Sequence, residues 1–153
     1  MTTNKRPKAF WFIFVFLALS LAFMLAGQTM ALISYDFAVQ IGLQESVKKV
    51  GEFGVQVNRA FGAADTIVYM PLMALSLIGL FLRKAWSLVT AAATMGLSAY
   101  WAAVIAFMLV FLPGTPGYEL APGLEYWLFI LAHIIFGIWG VFYLIFRGGS
   151  LIK

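Results

Sequence analysis

AADTIVYMPLMALSLIGLFLRKAWSLVTAAATMGLSAYWAAVIAFMLVFL, residues 63–112, carries charge only at Asp65 near its start and at the pair Arg83–Lys84. About 20 apolar residues suffice to cross a bilayer core as a helix. Ala63–Leu82 and Trp86–Leu112 each meet that length, and only a short link joins them. The stretch therefore reads as an antiparallel helical hairpin. It ends at the breaker Pro113-Gly114-Thr115-Pro116-Gly117.

The same length argument applies on either side. Ala9–Tyr35 follows the basic cluster Lys5, Arg6 and Lys8, and Leu124–Phe146 runs to Arg147. The first run exceeds the 7–15 residues of a typical signal core, so it reads as a retained helix. Composition agrees: 63% of the 153 residues are hydrophobic and only 10% charged, against roughly 45–50% and 25% in a soluble domain. A soluble enzyme, a disordered chain and a secreted disulfide scaffold are excluded. The expected fold is an all-α membrane protein forming one domain over residues 1–153. Its core is a four-transmembrane-helix bundle with spans at about 9–35, 63–82, 86–112 and 124–146. An amphipathic extracytoplasmic helix is expected between helices 1 and 2.

Four spans sort the charges by side. Lys5, Arg6, Lys8, Arg83, Lys84, Arg147 and Lys153 fall together with no acid among them. All six acids (Asp36, Glu45, Glu52, Asp65, Glu119, Glu125) fall on the other side, with Lys48, Lys49 and Arg59. The positive-inside rule then makes both termini cytoplasmic. The expected location is a prokaryotic cytoplasmic membrane. The net charge of +4 is accounted for by this asymmetry, and no nucleic-acid partner is expected.

The amphipathic reading rests on Val47, Val50, Phe53, Gly54, Val57 and Phe61, which recur at three- and four-residue spacing. Lys48, Lys49, Glu52, Gln56 and Arg59 occupy the other side. Such a helix would lie at the outer membrane surface, or act as a lid or a partner-docking element.

The sequence has no cysteine and one histidine. Thiol–disulfide exchange, iron–sulfur clusters and thiolate zinc sites are excluded, and one chain cannot ligate haem through two histidines. No cofactor and no metal site are expected.

Polar residues within spans usually face the bundle interior. Ser20, Met24, Gly27, Gln28 and Ala31 share one side of the first span; Asp65, Tyr69, Met73 and Ser76 line up on the second. Thr90, Thr94, Ser98 and Trp101, with Tyr100 beside them, mark the third, and Glu125, Phe129, His133, Gly137 and Gly140 the fourth. At 1.5 Å rise per residue, His133 lies about 12 Å inward from Glu125 and Tyr69 about 6 Å inward from Asp65. These depths predict a polar, aromatic layer in the outer half of the bundle. Asp65, Glu125 and His133 are the candidates for acid/base work there, and Gln28, Tyr69, Tyr100 and Trp101 for ligand binding. The plainer expectation puts Asp65 and Glu125 at helix starts, meeting orphan N–H groups. Gly137 and Gly140 would allow close helix approach. Pro71 should kink the second span beside Tyr69 by freeing the carbonyl of Ile67.

No motif fixes a reaction. The first functional expectation is an accessory or structural subunit of a larger membrane complex, or of a homo-oligomer. The second is a binder or acid/base enzyme for a sterol-, quinone- or isoprenoid-like molecule in an outward-opening intramembrane pocket. A small transporter ranks below both, because the first span carries no carboxylate.

Overall fold

A computed structural model describes residues 5–152; Lys153, placed among the basic residues above, lies outside them. Four helices are long and apolar enough to cross a membrane, consistent with an integral membrane protein. They are α1 (Lys8–Ile33), α3 (Val47–Phe81), α4 (Trp86–Phe111) and α5 (Leu124–Arg147). A short α2 (Tyr35–Gln40) follows α1. It begins because Ser34 turns extended (φ −152°, ψ 98°) and its hydroxyl accepts a hydrogen bond from the Phe37 N–H at 3.4 Å.

The largest departure from the sequence reading concerns the amphipathic segment. It is helical, but it runs without a break into the second span. Nothing between Phe61 and Met70 stops a helix: Gly62 is followed by Ala63 and Ala64, the best of helix formers. The break falls instead at Gly51, whose φ of 68° and ψ of 170° interrupt the helix after its first turn. That break shifts the phase of Val47 relative to Phe61, while Phe53, eight residues before Phe61 on the same continuous helix, is turned about 80° away from it. Phe53 is 83% exposed, whereas Val55, Gly62, Asp65 and Tyr69 are buried. Asp65 accordingly sits in mid-helix, not at a helix start, and no orphan N–H groups await its carboxylate.

The bundle has two apolar layers. At the basic end Phe10, Ile13 and Leu17 of α1 pack with Leu80, Ala91, Met95, Leu144 and Leu151. Towards the acidic end Met24 meets Met70, Met73, Trp101, Ala102 and Ile130. Between α3 and α4, the Ser76 and Thr94 hydroxyl oxygens lie 3.1 Å apart, and each hydroxyl can donate either to the other or to a carbonyl one turn back on its own helix. Small hydroxyl residues let helices approach while keeping their own polar atoms paired. The hairpin closes tightly, because Gly79 packs against Trp86 and Ser87. The start of the chain is fastened to the same end. The Arg6 guanidinium donates to the carbonyls of Leu80 (3.1 Å) and Phe81 (2.6 Å) and stacks 4.0 Å over Phe10.

α4 and α5 pack along most of their length, and glycine sets their separation. A Cβ on Gly137 would lie 2.7 Å from the Met95 carbonyl oxygen and 2.8 Å from the Ala99 Cβ; one on Gly140 would collide with the Met95 side chain. Backbone cannot yield as a flexible side chain does. Gly137→Ala should therefore cost about 1–3 kcal/mol, read as a lower unfolding midpoint in detergent. Gly149→Ala, with nothing within 4 Å, should leave the midpoint unchanged.

Candidate functional site

Two π-helical turns meet at the acidic end of the bundle: Leu25–Thr29 in α1 and Asp65–Tyr69 in α3. π-turns are rare within helices and loosen the regular hydrogen-bond ladder. The second has a visible cause. Pro71 lacks an N–H and its ring crowds the carbonyl four residues back, that of Ile67, and the wider turn just before it absorbs the conflict. The helices come close here because residue 62 is glycine. A Cβ at that position would lie 2.7 Å from the Gln28 carbonyl oxygen. Thr29 and Thr66 hydroxyls bond across the contact at 3.0 Å.

Loops close over this contact. Leu43 packs on Gly27. The Tyr35 hydroxyl donates to the Glu45 carbonyl (2.9 Å) and accepts from the Asn58 side-chain amide (3.1 Å). Glu45 pairs with Lys49 at 2.8 Å, and the Glu119 N–H donates to the Lys49 carbonyl at 2.6 Å. The loop after α4 is thereby tied to the start of α3.

Under these loops lies a cavity of about 380 Å³. Its floor and inner wall include Gln28, Phe61, Trp101 and Phe129, and its mouth Glu45, Tyr118, Glu125 and Tyr126. Ile105, Met108, Leu109 and Ile130 supply an apolar flank between α4 and α5.

The sequence candidates distribute unevenly around it. Gln28, Trp101 and Glu125 line the cavity. Glu125 occupies the first turn of α5, its carboxylate folded back against Gly123. Asp65, only 7% exposed, stands behind Trp101, whose indole N–H is the donor beside its carboxylate. The Asp65 Oδ2 and Gln28 Oε1 atoms are both buried without a hydrogen-bond partner. Tyr69 is buried one turn deeper, beside Ser98, whose hydroxyl likewise finds no properly aligned partner.

Two candidates fall elsewhere. Tyr100 is 68% exposed, because consecutive helical residues point about 100° apart and its neighbour Trp101 takes the inward position. His133 is buried outside the cavity lining. Its Nδ1 pairs with the Phe129 carbonyl at 2.9 Å, and Phe129, Phe16 and Trp101 enclose its ring at centroid distances of 4.1, 5.2 and 6.2 Å. Neither carboxylate is paired with it. The acid/base couple expected from helical depth is thus not assembled, and among the described residues no three potential metal ligands converge.

Sequence reasoning does not assign Glu45, Asn58, Phe61, Tyr118 or Tyr126 to a binding site. All five line the cavity. Asn58 and Phe61 share α3 at i, i+3 spacing, but the others come from separate loops and a different helix, so no spacing rule connects the set; only the breaker around Pro113–Gly117 marks a loop able to fold back. No family model, curated protein or solved structure matches this chain.

Tyr35 supports the cavity rim and lies outside the spans. Burial raises its phenol above the ordinary value of 10.0, with Glu45 adding to this and the Asn58 bond opposing it. The neutral phenol is favoured in the fold, so its contribution is complete below about pH 10 and is lost as pH rises through the folded value. Tyr35→Phe should cost about 0.5–1.5 kcal/mol at neutral pH. It should also flatten the alkaline fall in stability, measured as unfolding midpoint against pH.

Proposed function

We propose that this protein binds a lipophilic small molecule, sterol-, quinone- or isoprenoid-like in bulk, in the cavity at its acidic end. The cavity itself is the observation that carries the reading. At about 380 Å³ it falls within the roughly 300–1,000 Å³ of small-molecule sites. It also has their composition: mostly apolar and aromatic walls with a few polar groups. The buried, unpartnered Gln28 Oε1 in the lining favours a ligand with a hydrogen-bond donor, since a buried acceptor left unmade costs about 1–3 kcal/mol.

With the basic end in the cytoplasm, the mouth faces the outer side of a prokaryotic cytoplasmic membrane. Binding fits better than acid/base catalysis, because His133 is engaged by backbone and enclosed by rings. A role as an accessory subunit ranks second. Its support is an apolar groove at the basic half, formed by Trp11, Phe12, Val15, Phe16, Leu19 and Phe136, which lipid tails fill as readily as a partner helix.

The test is native mass spectrometry of protein extracted gently from its own membrane. A discrete adduct of a few hundred daltons is expected. It should be lost in Ile105→Trp, which fills the cavity, and kept in Val110→Trp on the exposed face of the same helix. A stoichiometric protein partner with no small molecule would overturn the reading in favour of the subunit role.

A further inference from the structure

We infer that the occupant of this cavity carries a positively charged head with N–H donors, a protonated amine on an apolar body. The inference rests on the ligand-binding reading above and specifies its chemistry. The ionisable carboxylates in the lining are Glu45 and Glu125, and the lining contains no Lys or Arg. Lys49 neutralises Glu45 at 2.8 Å. Among the described residues no basic group is paired with Glu125.

The sequence leaves little to neutralise it. No Lys or Arg occurs from Ala9 to Val47 or from Ala85 to Phe146. Apart from Lys49, the bases of this end are Lys48 and Arg59, both exposed. A third carboxylate, Asp65, lies buried behind Trp101 with Oδ2 unpartnered. A cleft whose charges share one sign and whose walls have low dielectric concentrates its field on the space between them.

The rings add to this. Trp101, Tyr118, Tyr126 and Phe129 line the same space, and aromatic faces attract cations, ammonium groups above all. The head therefore belongs among these rings, between Glu125 and the Asp65 side of Trp101. The apolar body lies along Ile105, Leu109 and Ile130. A neutral head would leave the carboxylates uncompensated, and an anionic one would be repelled.

The experiment uses the full chain in maltoside detergent micelles, which carry neither a charge nor an ammonium head. Three amphiphiles of equal chain length are compared: tetradecylammonium, tetradecanol and tetradecanoate. Saturable binding is read by native mass spectrometry and thermal shift. The ammonium compound should bind roughly tenfold or more tightly than the alcohol, and tetradecanoate most weakly. Glu125→Gln, an isosteric change at an exposed position in the first turn of α5, should weaken the ammonium compound several-fold and leave the alcohol unchanged. Asp65→Asn should act in the same direction.

Equal binding of the alcohol, or equal weakening of both by Glu125→Gln, overturns the charged head while leaving the cavity reading intact. If Ile105→Trp displaces none of the three, the cavity reading fails as well. Displacement of the ammonium compound by sodium chloride but not by choline chloride at equal ionic strength would make a bare metal cation the occupant, and would overturn the amphiphile.

Discussion

The contact between α1 and α3 at Gly62 fixes the rest of the acidic half. Without a side chain at that position, the Gln28 backbone comes within van der Waals reach of α3. That approach aligns the two π-turns, seats Thr29 on Thr66, and sets Gln28 and Asp65 on neighbouring helices behind one wall. In lipid the two helices gain nothing from water exclusion when they pair, so close packing and interhelical hydrogen bonds must hold them. Glycine at 62 provides the first and the threonine pair the second.

The basic half is organised by different means. Its core is continuous aliphatic and aromatic packing around Phe10, Leu17 and Met95, and its polar atoms are consumed locally. Ser76, Ser87, Thr90 and Thr94 all return hydrogen bonds to carbonyls of nearby residues. Partnerless buried side-chain atoms among the described residues occur only on Gln28, Asp65 and Ser98, all towards the other end. Polar frustration is therefore concentrated where the cavity is, and stability is concentrated where it is not.

Much of this is legible in the chain. Length and hydropathy define four spans, and helical spacing identifies the inward stripes: Met24, Gly27 and Ala31, then Asp65, Tyr69, Met73 and Ser76, then Thr94, Ser98 and Trp101, are all buried. Most of the features that escape a sequence reading depend on geometry beyond one helical period. The continuity of α3 is decided by Gly62, Ala63 and Ala64, whereas the amphipathic period before them has the pattern of a separate element. The phase change at Gly51 needs a left-handed φ that periodicity cannot report. The cavity wall draws on six separate segments, a property of tertiary closure. Tyr100 adjoins Trp101 in sequence, but a helix gives neighbours different faces.

The Arg6 clasp sets a mechanical polarity for the whole molecule. Its guanidinium bridges the first turn of the chain to the last carbonyls of α3, beside a hairpin already held tight at Gly79. Three of the four long helices are thus pinned together at one extremity, and at the other α1 and α3 stay in contact through Gly62 and the Thr29–Thr66 pair. Widening that admits a guest therefore falls to the covering loops and the cavity rim, and leaves the core around Phe10 and Met95 packed.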